Sequence, residues 1–241
     1  MIWTENVCIN SHDIDYNGVV TPTAIVRNML ECSNWQMRKC GPSLEYLREN
    51  GQAFLLNRFS LEVYKPLHTY DNITVRTWGC PAPRLLFPRC YEIWRDGELV
   101  SRAHAVMALI DIHSRKLLRT SEFHPNFDYE PDFETQLSEQ LNVPRTNDEL
   151  KELGSFFVGY GICDQNRHMN NTHYGDTLLS FVDTEGKYLT SMTIHFVQEA
   201  PMGEHVKVFG KTAEDGAYLF RTIRADGQVN CEARITMAHI S

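Results

Sequence analysis

The chain repeats itself, and no other feature narrows its fold as far. VCINSHDIDYNGVV (7–20) aligns with FFVGYGICDQNRHM (156–169) at an offset of 149, setting Asp15 over Asp164, Asn17 over Asn166 and Val19 over His168. SLEVYKP (60–66) falls on IHFVQEA (194–200) at an offset of 134, with Lys65 over Glu199. RDGELVSRAHAVMA (95–108) lies over ADGQVNCEARITMA (225–238) at an offset of 130. The blocks recur in one order, and the shrinking offset gives the second copy shorter connections.

Each copy reads as an extended segment, an Asp-x-Asn turn, a helix and a run of strands. The first helix has Thr21 as N-cap, Pro22 at its first position, an apolar face through Ile25, Met29, Cys32 and Trp35, and Gly41 as its stop. Its counterpart at 171–182 is shorter, with Tyr174, Leu178, Phe181 and Val182 on the buried side. LEVYK, ITVRTW, RCYEIW and ELVSRAHAVMALID in the first copy, and TSMTIHFV, HVKVFGK, AYLFRTIR and QVNCEARITMAHI in the second, carry strand alternation. Asp96-Gly97 and Asp226-Gly227 between such runs are hairpin signals. The fold class expected is α+β, each unit a helix covered by an antiparallel sheet, with the two units burying their remaining edges against each other. The divisions expected are 1–125, an acidic connector at 126–150 running over the surface, and 151–241; Thr146 and Glu149 offer a capping box before the second unit.

Composition removes several classes of function. No apolar run approaches the ~18 residues of a membrane span, and residues 1–20 lack the pattern of a secretory signal, so a soluble cytoplasmic protein is expected. A formal charge of −8 argues against sequence-independent nucleic-acid binding. The seven cysteines form no CxxC pair and read as reduced core thiols, with no metal site expected. His168 and His173, five apart, point away from each other on a helix and do not make a zinc pair.

A strand, a polar Asp/Asn turn, a helix and antiparallel strands resemble the hotdog fold. Two copies in one chain, with DQNRH in the second and a glutamate about thirty residues later in HFVQEAP, resemble the acyl-acyl carrier protein thioesterases. The resemblance spans nearly the whole chain. It implies tandem hotdog units, a catalytic second unit with Asp164, Asn166, His168 and Glu199, and a first unit that holds the acyl chain. It implies a fatty acyl thioester substrate, an acidic acyl carrier protein as partner and no cofactor. Where plant members often carry a cysteine after the glutamate, this chain has Ala200, and no transit-like leader precedes Ile2-Trp3, which points to a bacterial member.

Thioester hydrolysis needs an activated water, donors for the carbonyl oxygen and a dry slot for the chain. Glu199, expected beside Asp164 or buried, is the base; Asn166 holds the carbonyl; His168 orients the water or protonates the thiolate; Asp164 positions the other two. Amides at the start of the following helix are expected to form an oxyanion site. The pocket is expected around Met29, Trp35, Phe54 and Phe59, and a basic patch from some of Arg58, Lys65, Arg84, Arg89, Arg167 and Lys211. A coenzyme A thioesterase and a non-hydrolytic acyl-binding protein stay open at this point. A hotdog hydratase fits less well, since its D-x-N-P-x-H pattern places histidine five after the aspartate. A homodimer also stays open, because a tandem chain already holds the pair of units that single-unit hotdog proteins make by dimerising.

Overall fold

The computed structural model describes residues 1–81, 84–133 and 137–240. The first repeat forms β1 (Trp3–Cys8), α1 (Pro22–Cys40), α2 (Leu44–Glu49), β2 (Gln52–Val63), β3 (Asn72–Gly79), β4 (Phe87–Arg95) and β5 (Glu98–Asp111). The second forms β6 (Lys151–Phe157), α3 (Tyr174–Leu179), β7 (Lys187–Phe196), β8 (His205–Thr212), β9 (Tyr218–Ile223) and β10 (Val229–His239). Among the described residues the strands join one antiparallel sheet of ten, in the order β1-β3-β4-β5-β2-β7-β10-β9-β8-β6. The two halves of that order are the same order, so a pseudo-two-fold axis passes between β2 and β7. Their pairing register agrees: Phe59 faces Ile194 and Ser60 faces Thr193, pairs that the 134-residue offset exchanges. The repeats thus consume each other's edge strands, which would otherwise leave unpaired backbone exposed. This is the tandem hotdog architecture.

Helix α1 starts as its sequence dictates. Thr21 accepts from the Ala24 amide, Pro22 occupies the first position, and Gly41 donates to Met37 O at the far end. Ile25, Met29 and Cys32 pack on the sheet with Phe59, Val75 and Tyr91. Asp96 (φ 52°) and Gly97 (φ 78°) both take left-handed backbone, as a two-residue type I′ hairpin requires. At the second hairpin only Gly227 does (φ 83°), and the register slips by one residue between Val229 and Cys231.

The helices meet at one glycine. A Cβ on Gly175 of α3 would stand 2.7 Å from the Pro22 Cβ and 3.0 Å from Met192 Sδ. Asp176 beside it accepts from the Thr23 amide at 2.9 Å, so the second helix caps an orphan donor of the first.

The acidic connector corrects the expectation of a plain surface linker; its residues 134–136 lie outside the described residues. Phe127, Phe133, Leu137 and Leu141 are buried. Phe133 packs edge-on against Trp78 of β3, beside Cys80 and Cys90. Glu139 binds Arg58 of β2 and His104 of β5, Ser138 O accepts from Thr193 of β7, and Pro144 O accepts from Arg221 of β9. The segment straps the outer face of both halves. Burying each of these apolar side chains contributes about 1.5–3 kcal/mol. The expected capping box is absent: Thr146 makes no side-chain cap, and Asn147–Glu149 is a single 3₁₀ turn. The cysteines are free among the described residues, and Cys8 is exposed although expected in the core. Among the described residues no helix is long and apolar enough to cross a membrane.

Candidate active site

The DQNRH stretch folds as a tight loop closed on its own aspartate. Asp164 N donates to His168 O, and the Asp164 Oδ1 accepts from the amides of Asn166 (2.8 Å) and His168 (3.1 Å). Asp164 Oδ2 takes the Asn166 side-chain amide at 3.3 Å. Arg167 occupies left-handed backbone (φ 63°), which turns His168 back toward the sheet. The Asp164 carboxylate thus holds the loop together, Oδ1 taking two amides and Oδ2 one longer contact.

Glu199 lies just past β7, where the strand has ended and the chain needs other partners. Val197 N and Gln198 N donate to Asn230 O, Asn230 Nδ2 donates back to Gln198 O, and Met169 N donates to Ala200 O. The buried Asn230 of β10 thereby fixes the Glu199 segment from one side and the DQNRH loop fixes it from the other. His168 Nδ1 and Glu199 Oε1 stand 3.4 Å apart. Glu199 was expected against Asp164 or buried; its side chain is 45% exposed and its partner is His168. Ala200, where a cysteine nucleophile would sit, is fully buried in the core. Burial pushes the hydroxyl of Tyr174, which accepts from Asn230 behind the pair, well above the usual phenol value.

Asp164, Asn166, His168 and Glu199 share one hollow with residues of the other repeat: Phe54, Leu55, Leu56 and Asn57 of β2. Phe54, Leu56 and Asn171 also line a second, mainly apolar cavity of about 210 Å³ that runs into the first unit. The two spaces therefore share a wall, with the chamber that holds Asn166, His168 and Glu199 in front and the slot behind it. Helix α1 lines the slot with Leu30, Ser33, Asn34 and Met37, the i, i+3, i+4, i+7 positions of one face. Phe54 makes edge-to-face contacts with Phe87 and Phe123 in its wall.

Of the expected pocket residues, only Phe54 lines this slot. Met29 and Phe59 are buried between helix and sheet, and Trp35 is 38% exposed with Arg38 over its ring. The α1 face at the slot is rotated from the one inferred, because a helix wrapped by a curved sheet has apolar surroundings over more than one stripe. The oxyanion expectation also needs correcting. Thr172 N donates to Asn170 Oδ1 and His173 N to Asn170 O, so those amides are already used. Nor do the six expected cations converge. Arg58, Lys65 and Lys211 pair with Glu139, Glu98 and Glu149, and Arg89 is buried. Arg167 is exposed beside the site, and Arg48, not foreseen, reaches Asn166 Oδ1 at 3.5 Å.

Asn57 and Asn171 were also missed. Asn57 sits at the register shift between Leu56 and Arg58, a bulge that re-aims one side chain. A lone asparagine inside LLNRF was the signal available in the sequence.

The family model for the acyl-ACP thioesterase N-terminal domain matches residues 1–123, and that for the acyl-ACP thioesterase C-terminal domain matches residues 147–239. Among solved structures the chain is similar to an acyl-ACP thioesterase from Bacteroides thetaiotaomicron, at 20% identity and a TM-score of 0.88, covering 98% of each chain. It is also similar to the 12:0-ACP thioesterase of Umbellularia californica, at 16% identity and a TM-score of 0.79, covering 99% of this chain and 98% of that one. No curated protein matches by direct sequence comparison.

Proposed function

Because the chain belongs to the acyl-ACP thioesterase family, and is thus an acyl-ACP thioester hydrolase, we propose that it releases fatty acids from acyl carrier protein in the cytoplasm with Glu199 as general base. The observation that carries this reading is the pairing of Glu199 with His168 at the head of an apolar slot contributed by the other repeat. The acyl chain occupies the slot between α1 and β2, β4 and β5, and the thioester carbonyl lies between Asn166 and Glu199. Glu199 takes a proton from water as the new C–O bond forms. Asn166 Nδ2, whose only protein acceptor among the described residues is Asp164 at 3.3 Å, offers a hydrogen to the carbonyl oxygen as it becomes negative. Collapse breaks the C–S bond, and His168 relays the proton to the departing sulfur.

The rim of the chamber supplies a docking surface for an acidic carrier. Arg48, Arg115, Lys116 and Arg167 are exposed, with Leu117 and Asn166 of the same segments in the chamber wall. Of the expected cations Arg58, Lys65 and Lys211 are paired with the chain's own carboxylates, whereas among the described residues Arg48, Arg115, Lys116 and Arg167 are in no ion pair. Opposite charge on the partner raises its association rate at low salt.

The test is thiol release from one acyl group offered on acyl carrier protein and on coenzyme A. A preference for the carrier that weakens with salt and in Arg48→Glu/Arg167→Glu supports the reading. Equal rates on both moves the protein to coenzyme A esters, and release that survives Glu199→Ala removes the proposed base.

A further inference from the structure

The slot contains a cation. Arg89 of β4 is 5% exposed, and its side chain turns inward to the slot between α1 and the sheet. Its Nη1 donates to Gln36 Oε1 at 2.6 Å and to Thr77 Oγ1 at 3.1 Å, both neutral acceptors. Among the described residues no carboxylate pairs with it, and Nε and Nη2 have no acceptor. The Phe127 ring lies 5.8 Å from the guanidinium carbon. Burial pulls the Arg89 pKa below its ordinary value.

An unpaired charge in a dry interior costs several kcal/mol, and two neutral hydrogen bonds with one ring face offset only part of it. A purely hydrocarbon chain filling the slot removes what water reaches Nε and Nη2 and raises that cost. The free edge, Nε with Nη2, is one of the two edges by which a guanidinium grips a carboxylate in a two-pronged hydrogen bond. Position matters as well. From β7, which Glu199 follows, to β4, which carries Arg89, the sheet order is β7-β2-β5-β4, three spacings that at ~4.8 Å each come to about 14 Å across the strands. The walls between include Leu56, Met107, Phe87 and Phe54, and at the far end Tyr129, packed on Gly79, joins Arg89.

We propose that Arg89 forms a subsite for an oxygen function at the far end of the acyl chain, with a terminal carboxylate as the best fit, so that the preferred substrates are medium-chain thioesters of dicarboxylic acids. The proposal rests on the thioesterase reading and specifies its substrate class. The bound group completes the missing ion pair, while the methylene chain between the two ends meets only apolar walls.

The experiment compares three acyl groups on acyl carrier protein: butyryl, which ends short of Arg89, a medium straight chain, and the same chain with a terminal carboxylate. An ω-hydroxy chain is run beside them. Wild-type protein is expected to favour the carboxylate over the plain chain by about tenfold or more in kcat/KM, with the hydroxyl between them. Arg89→Met reverses the order, with each protein's rates on the longer chains taken relative to its own butyryl rate. Wild-type preference for the plain chain, or equal loss on all substrates in Arg89→Met, overturns the subsite while leaving the thioesterase reading intact. If Arg89→Met does not fold, Arg89→Lys, which keeps charge and loses the fork, decides through the same ratio. If not even butyryl is hydrolysed, the thioesterase reading fails, and calorimetry with the free dicarboxylic and monocarboxylic acids still decides the subsite.

Discussion

The loops at 15–19 and 164–168 share one hydrogen-bond skeleton and put their asparagines to opposite uses. In both, the aspartate Oδ1 accepts from the amides two and four residues on, and Oδ2 holds the asparagine side chain. In the first loop Asn17 is saturated: its Nδ2 donates to Thr184 O and Lys187 O, and its Oδ1 accepts from Gly186 N. In the second, Asn166 keeps a distant contact with Arg48 and is otherwise turned to the chamber. Lys65, in the place of Glu199, is spent on Glu98. One loop ties the repeats together, and the other faces the chamber. On the proposed reading, the Asp-x-Asn turn is a structural device first, recruited for catalysis only where its amide has no structural duty.

The sharpest break of this comparison is Glu199→Ala against Lys65→Ala. The first should lower kcat by about 10²–10⁴-fold with an unchanged melting temperature, and the second should leave kcat unchanged; thiol release at saturating substrate measures both. Next is Asn166→Ala, expected to cost about 10²-fold in kcat, as loss of one oxyanion donor does. Its mirror, Asn17→Ala, should keep kcat and lose about 1–3 kcal/mol in urea unfolding through its broken contacts to the other repeat. If both asparagines behave alike, the division of labour is wrong.

A smaller effect tests the helix contact. Burial, only partly offset by the Thr23 bonds, raises the Asp176 carboxyl pKa above its ordinary value. The folded state then binds the proton more tightly than the unfolded chain, so this group's contribution falls as pH climbs through the raised value. Asp176→Asn keeps an acceptor for the Thr23 amide without the charge. It should melt higher than wild type at neutral pH, with the gain vanishing as pH drops below the ordinary carboxylate range. A lower melting temperature at neutral pH would show that the negative charge itself helps the N-terminus of α1.

Much of this could be read before folding. Thr21-Pro22 and Gly41 mark α1, alternation marks the strands, and the repeat offsets anticipate the β2–β7 register because a two-fold axis must exchange equivalent residues. His168 and Glu199 stood out by their absence from the other copy. Trp35 was misread because periodicity reports that a face is apolar without saying whether a core, a void or solvent lies beyond it. The cations were misread because their partners, such as Glu139 for Arg58, lie 81 residues away.

The sequence by itself determined the duplication, the secondary structure and the chemical types available for the reaction, since these follow from local spacing and from comparing one copy with the other. Only the tertiary structure decided which asparagine bonds to the other repeat, which arginine is buried with no carboxylate partner among the described residues, and that the slot beside Glu199 of one repeat is built in the other. Those properties depend on what distant segments place against each group: Asn17 is quieted by residues 167 to 170 positions further along the chain.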